Sequence, residues 1–586
     1  MGSTPQTTAP TRSTSVVRSA SATGLGTAFS RVFGLVREQV FAYYFGAGAA
    51  MDAFNIAFRI PNLLRDLFAE GALSSALVPT FLKTRQSTGE AHGWRVAGLV
   101  FWTLLGFLGL ISVLGIVFSP ELVSLYADAF RAIPGKFELT VVLTQILWPF
   151  LPLVAVAAAV MGVLNAMGVF FIPAFASAIF NIVSVVAGLI LVPLVHLWGY
   201  PPIVGMALGV VLGGLGQLLI QLPWLKRAGF PGMFSVFKRQ SAPGTRWFRE
   251  PALREMLVLM APATVGVAAT QINILVNSIL ATGLMSGSVS WLNYAFRLMQ
   301  FPIGIFGVSL AGATLPEFTR RWIAATDGAS AVPSAPASKE TAVRTLERSL
   351  GWVMAVNLPA TAGLIVLSVP IIQCIYQYGV FDLSDTQYAA QALMAYAGGL
   401  AFYSGVKVLA PVFYTLGEVR TVVMTSLCTV ALSSALSFLL SHPFGFWGLA
   451  LATAIGAVFN FLALFFVLGR RLRALGGRSW DFSTLLVSFG KSVLASAVMA
   501  AVLFALMTLL HEHFPDSWFV DRGHFFSLKV GLSLALGRVL KVIFLVSIGV
   551  IVFSLMGRTL RSPEITEAVT MLRARLPFGF NKSRHG

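Results

Sequence analysis

The sequence predicts an all-α polytopic membrane protein of about fourteen transmembrane helices, built as two pseudo-symmetric six-helix lobes plus two extra C-terminal helices. Three observations predict it. The 586 residues are 56% hydrophobic and only 11% charged, with a mean hydropathy of +0.81, where a soluble chain carries about a quarter charged residues. Apolar windows of about twenty residues recur from end to end, the length one helix needs to cross the hydrocarbon core. Finally, NIAFR at 55–59 recurs as NYAFR at 293–297, and VPTF at 78–81 recurs as LPEF at 315–318. A β-barrel is disfavoured, because its strands would be about ten residues long and would alternate polar with apolar.

The windows fall near 23–45, 53–82 with an interruption at Pro61, 94–118, 139–165, 173–195, 202–225, 253–282 and 288–316. They continue near 347–371, 387–415, 420–440, 444–469, 484–510 and 537–557. The polar, Ser/Thr-rich start at 1–20 lacks a compact apolar core with a cleavage site and reads as a disordered cytoplasmic tail. The repeat offset, near 238 residues, spans six helices. An even number of helices preserves orientation, so the lobes are expected to be related by an axis along the membrane normal, with substrate near the midplane between them. The expected division is 21–228 for the first lobe, 229–252 for a cytoplasmic loop, 253–470 for the second lobe, 471–560 for helices 13–14, and 561–586 for a cytoplasmic tail.

The formal charge of +18 does not point to nucleic acid, because the cations sit in short loops between apolar windows, where they orient helices. One set of loops carries Lys83, Arg85, Arg95, Lys226, Arg227, Lys238, Arg239, Arg246, Arg249, Arg320, Arg321, Arg344, Arg348, Arg470, Arg471, Arg473, Arg558 and Arg561. The opposite set holds Arg131, Lys136, Arg522, Lys529, Arg538 and Lys541. The positive-inside rule therefore places both termini in the cytoplasm. Cys374 and Cys428 show no CxxC or metal spacing and read as small packing residues.

Ionisable residues inside the windows are the functional candidates, since such groups face a bundle interior or a wet cavity rather than lipid. They are Arg31, Arg37 and Glu38 on helix 1; Asp52, Arg59, Arg65 and Asp66 on helix 2; Arg297 on helix 8; and Lys407 on helix 10. If each acid pairs with an arginine, a cationic excess remains. Each cation also has a structural reading: Arg37 neutralising a carboxylate, Arg65 snorkelling, Lys407 satisfying carbonyls freed near Pro411. Arginine suits bidentate binding of phosphate oxygens, so the set points to a cavity for an anion, a phosphate or diphosphate. Pro61 and AEGALSS at 69–75 are expected to break helix 2 and free backbone groups. There is no P-loop, GxSxG or HExxH, and His511, Glu512 and His513 read as a polar surface cluster. Gln271, Asn273 and Asn277 on helix 7 form a weak Na⁺ candidate, with interhelical hydrogen bonding the alternative. YQYGVF at 376–381 reads as an aromatic interfacial turn.

SRVFGLVRE, FGAGAAMDAFNIAFRIPNLLRDLFAEGALSSALVPTF, GSVSWLNYAFRLMQFPIG, YQYGVF and VKVLAPVFY resemble the lipid II flippases of the MurJ/MviN type, over roughly residues 20–560. These belong to the multidrug/oligosaccharidyl-lipid/polysaccharide exporter superfamily. The resemblance implies fourteen helices, alternating access across the bacterial inner membrane, and outward movement of the undecaprenyl-diphosphate-linked peptidoglycan precursor. It implies head-group roles for Arg31, Arg37, Arg65 and Arg297 and places Asp52 and Arg59 at family motif positions; with Glu38 and Lys407 from the charge reading, these two form the secondary or gating set. Helices 13–14 would form a groove for the polyprenyl tail. Phe296 and Gln300 stand where the family often has acids flanking the helix 8 arginine, so any gating or proton-coupling role of those acids does not carry over.

The expectations are therefore a monomeric transporter, not an enzyme, with lipid II and membrane lipids as partners and other cell-wall synthesis proteins as candidates. No cofactor or nucleic acid is expected; Na⁺ or H⁺ is a candidate coupling ion. A flippase for another polyprenyl-diphosphate glycan would recognise the same diphosphate. A cation-coupled drug exporter would present acids to its cargo. A lipid-phosphate enzyme would need acids, histidine or metal near a membrane face, and a scaffold would leave the buried arginines without a reason.

Overall fold

The computed structural model describes residues 12–68, 72–233, 250–326, 339–513 and 530–567. Among these every regular element is helical, as expected where backbone groups must be satisfied within one segment. They divide into two compact units, 1–289 and 290–586. Nine described helical stretches are long and apolar enough to cross a membrane, or ten if one bent pair counts as a crossing. Fourteen crossings are consistent with this segmentation, since α2 is kept off that count by its own Asp52, Arg59, Arg65 and Asp66.

The first unit contains α1 (Arg12–Phe45), α2 (Ala49–Phe68), α3 (Ala72–Thr88), α4 (Glu90–Val117), α5 (Ser119–Ala127), α6 (Lys136–Leu147), α7 (Phe150–Ala166), α8 (Phe171–Leu197), α9 (Ile203–Leu219), α10 (Leu222–Arg227) and α11 (Pro251–Thr282). Packing, not hydrophobic transfer, joins helices in lipid, so close backbone approach matters. In α9, Gly205, Gly209 and Gly213 recur every fourth residue along the seam with α8. A Cβ at Gly209 would lie 2.5 Å from the Ser184 carbonyl oxygen. α1 closes on α8 in the same way, at Gly26 against Ala174. α11 packs against α2 and α3 within this unit; the division at 253 follows internal similarity, whereas this one follows packing.

Pro61 does not interrupt α2, which runs through it to Phe68. Proline removes one hydrogen bond and crowds one carbonyl, and the buried flanks of this helix (Ile60 is 4% exposed) hold it together across that defect. Ala69, Glu70 and Gly71 of AEGALSS lie outside the described residues.

The second unit runs from α12 (Ser288–Pro302) through a π-turn at Ile303–Gly307 into α13 (Val308–Thr326). It continues with α14 (Lys339–Val366), α15 (Ser368–Tyr376), α16 (Leu383–Ala397), α17 (Leu400–Thr415), α18 (Val419–Ala474), α19 (Phe482–His513) and α20 (Val530–Thr559). α16 and α17 meet at a 43° bend. α18 is two helices joined at Gly445, whose φ of 58° and ψ of −139° break the helical path; a glycine adopts that conformation without the Cβ penalty. α19 and α20 pack beside α14 in a cluster that includes Ala355, Ala495, Met499, Leu503, Leu545 and Phe553.

YQYGVF forms the turn between α15 and α16, with Gly379 and Val380 exposed and two of its rings packed inward. Tyr376 and Phe381 are each 1% exposed and enclose the fully buried Tyr294 of α12, with ring centroids 4.8 and 5.5 Å away. Interfacial belts and aromatic cores share a composition, and packing alone distinguishes them.

Candidate functional site

Helix propensity and spacing place most of the candidate charges on α1 and α2 of the first unit. Arg37 and Glu38 are both buried and pair through Nη2 and Oε1 at 2.9 Å. The Arg37 guanidinium also lies 5.4 Å from the Phe180 ring of α8, a cation–π arrangement that strengthens when desolvated. Arg31 is half-buried on the same helix and forms no ion pair among the described residues.

Arg65 holds Asp66 through Nε and Nη2, at 3.1 and 2.6 Å. The second Asp66 oxygen accepts from Gln271 Nε2 of α11 at 3.0 Å. Gln271 therefore serves as an interhelical hydrogen-bond donor. Asn277 Nδ2 donates to Asn273 Oδ1 within α11 at 3.1 Å. Among the described residues, no group of three or more His, Cys, Asp or Glu is placed to hold a metal. The side chains of His511, Glu512 and His513 lie outside the described ones. Cys374 and Cys428 are free thiols.

Asp52 corrects the expected pairing of acids with arginines. Its carboxylate is engaged by a lysine: Lys136 Nζ sits 2.9 Å from Oδ2, with both side chains 2% exposed. The Gly287 N–H donates to the same oxygen at 2.7 Å, and Lys136 Nζ reaches Ser286 Oγ at 3.4 Å. Lys136 lies 4.0 Å from the Phe130 ring as well. Asp52 thus ties α2 to the start of α6 and to the turn after α11. The sequence reading placed Lys136 in an outward loop and missed this role. A signal existed: a cation as the first residue of a helix opposes the helix dipole, so something nearby must compensate it.

Arg59 is half-buried on α2. It is close enough to Tyr126 of α5 that its charge opposes the upward push of burial on that phenol's pKa. In the second unit, Arg297 is half-buried on α12, with Tyr294 one turn before it in the aromatic cluster. Phe296 packs edge-on against Tyr396, 5.4 Å between centroids, while Gln300 is exposed. Lys407 is exposed on α17, not enclosed by its own bundle.

On α1, α2 and their contacts, Arg31, Arg37, Arg59, Arg65 and Lys136 stand against Glu38, Asp52 and Asp66. Arg297, the fifth arginine of the expected set, lies in the second unit. Guanidinium groups in low dielectric attract anions, phosphate oxygens above all. Between α1, α7 and α8 lies a cavity of about 330 Å³, lined by Thr27, Ser30, Met161, Asn165, Phe170 and Ser177 among others; Arg31 follows Ser30 on α1.

Residues 41–525 match the family model described as lipid II flippase MurJ. The chain is 34% identical over 450 residues to the probable lipid II flippase MurJ of Vibrio cholerae, covering 75% of this chain and 80% of that one. It is 32% identical over 445 residues to the lipid II flippase MurJ of Burkholderia cenocepacia, with 76% and 82% covered. A solved structure of lipid II flippase MurJ in an inward closed conformation superposes with a TM-score of 0.68 at 23% identity, over 92% of this chain and 98% of that one. An inward-facing multidrug resistance MATE family transporter of the MOP superfamily gives 0.61 at 15% identity, over 76% and 95%.

Proposed function

The chain belongs to the lipid II flippase MurJ family, and from that premise we propose that it carries lipid II from the cytoplasmic to the periplasmic leaflet by alternating access. It is a multi-pass membrane protein. In this reading it sits in the inner membrane with both termini cytoplasmic, and it transports rather than catalyses. The observation that carries the site assignment is the cationic excess on α1 and α2. Glu38 and Asp66 meet arginines, and Asp52 meets Lys136. In this reading Arg31, Arg37, Arg65 and Arg297 are the residues that serve the diphosphate and head group, and Asp52, Arg59, Glu38 and Lys407 are secondary or gating residues.

The Arg37–Glu38 and Arg65–Asp66 pairs suit this role. Each arginine has an internal counter-charge when no substrate is present, so an empty carrier does not hold a bare guanidinium in lipid. A diphosphate competes for the same forks. It advances the cycle only if it binds one conformation better than the other. The membrane potential contributes about 2.3 kcal/mol per unit charge per 100 mV to any net charge moved, so Na⁺ or H⁺ coupling is needed only to reset the empty carrier.

Complementation of a flippase-depleted bacterial strain tests this reading. Arg31→Ala, Arg37→Ala and Arg297→Ala should each abolish growth rescue with the protein still in the membrane. Full rescue by the triple variant would remove the arginines from the mechanism.

A further inference from the structure

The cavity at Thr27 and Ser30 of α1 has a lining unlike the charged positions of α1 and α2. It carries no charged side chain: Thr27, Ser30, Asn165 and Ser177 offer hydroxyls and an amide, Phe170 an aromatic ring, and Met161 an apolar edge. A polyprenyl tail would gain nothing from an amide and three hydroxyls, which would lose hydrogen bonds to it. A diphosphate would find no cation there. Neutral donors and acceptors beside one aromatic ring match a sugar, whose hydroxyl and acetamido groups take such partners while its C–H face covers an apolar surface.

Position supports the same chemistry. Thr27 and Arg31 are four residues apart on α1, so they share a helix face with Cβ atoms about 5–6 Å apart. A sugar bonded directly to a diphosphate must lie next to whatever binds that diphosphate. The cavity walls are also braced: Asn181 Nδ2 donates to the Ser30 carbonyl at 3.3 Å and to the Ser177 carbonyl at 3.0 Å, tying α1 to α8 at the rim. One turn away Gly26 closes on Ala174, so the space is a gap in an otherwise tight seam. At about 330 Å³ it falls at the lower end of small-molecule sites, ~300–1,000 Å³. That is room for one ring and not for a disaccharide with its peptide.

We propose that this cavity is the subsite for the first, N-acetylated sugar of the head group, with Asn165, Ser177 and Thr27 reading its substituents while Arg31 engages the adjoining phosphate. The proposal rests on the flippase reading above. It makes the first unit a reader of carbohydrate as well as of diphosphate.

Binding to the full-length protein in nanodiscs tests it, with two probes: lipid II, and undecaprenyl diphosphate without sugars. Asn165→Leu and Ser177→Val should each weaken lipid II binding tenfold or more and leave the sugar-free probe within twofold of the parent. Arg31→Ala should weaken both. Ser177→Ala, the smallest change, should show the same selectivity at a lower fold-change, and the sugar-free probe reports that each variant is folded. Equal weakening of both probes, or no effect on lipid II, overturns the sugar subsite. A parent protein that binds neither probe overturns the flippase reading instead.

Discussion

The two units contain the same pentapeptide pattern in different surroundings. In the first, Phe58 of NIAFR stacks on Phe54 and meets Phe150, and the helix around it carries ionic contacts: Asp52 with Lys136 and Gly287, and Arg65 with Asp66 and Gln271. In the second, NYAFR sits in a mainly aromatic setting, with Tyr294 between Tyr376 and Phe381, and Trp291 beside Tyr388 and Phe446 while donating to Asp385 at 2.8 Å. Ser290, fully buried, occupies the repeat position of Asp52. Elsewhere in the second unit Ser404 Oγ donates to Asn357 Oδ1 at 2.9 Å, a link between neutral groups. The repeat therefore preserves a helix and its arginine while the surroundings change, and an ionic network can be rearranged by an anionic ligand in a way that packed rings cannot.

The largest test of that contrast is Lys136→Met. Removing one member of a buried pair typically costs about 3–5 kcal/mol, read as a lower thermal transition of the purified protein. Ser290→Ala should cost about 0.5–1.5 kcal/mol. If the two variants melt alike, the ionic description of the first unit fails; adding Asp52→Asn to Lys136→Met should restore part of the loss. Next in size, Gln271→Leu deprives a carboxylate of a donor and should cost about 1.5–3 kcal/mol, against about 0.5–1.5 kcal/mol for Ser404→Ala in the second unit.

A smaller effect separates the helix seams. Gly209→Ala places a methyl 2.5 Å from the Ser184 carbonyl oxygen and should destabilise by about 1–3 kcal/mol. Gly312→Ala on α13 meets nothing within 4 Å and should stabilise by about 0.4–1 kcal/mol. Smallest is a cap. Asp382 accepts from the Asp385 N–H at 2.8 Å at the start of α16, so Asp382→Ala should cost about 1 kcal/mol. That hydrogen bond, with Ser384 second, lowers the carboxyl pKa below its usual 3.8. The contribution is thus full above the usual value and fades as pH falls through the lowered one. Acid melting of the parent should show this step, and the Ala variant should lack it. α4, which Gly89 caps without a side-chain bond, should contribute none.

Most of the architecture was legible because membrane helices announce themselves by length and apolarity. Arg37 and Arg65 stood out for the same reason, and their partners Glu38 and Asp66 are their immediate neighbours in sequence. What was not legible depends on tertiary distance. Lys136 lies 84 residues from Asp52, and Gln271 lies 205 from Asp66. No periodicity connects such positions. The expected break at Pro61 failed for a physical reason: a proline weakens one turn, and the packing of Ile60 and its neighbours outweighs that.

The Asp52 contact set also has a schedule. Its donors are made at different times, since Ser286 and Gly287 follow Lys136 by about 150 residues. At ~5–20 residues per second of synthesis, roughly 8–30 s pass between the appearance of the lysine and that of the last donor. During that interval Asp52 and Lys136 are present without Ser286 and Gly287, and this contact set is completed only once the turn after α11 has been made.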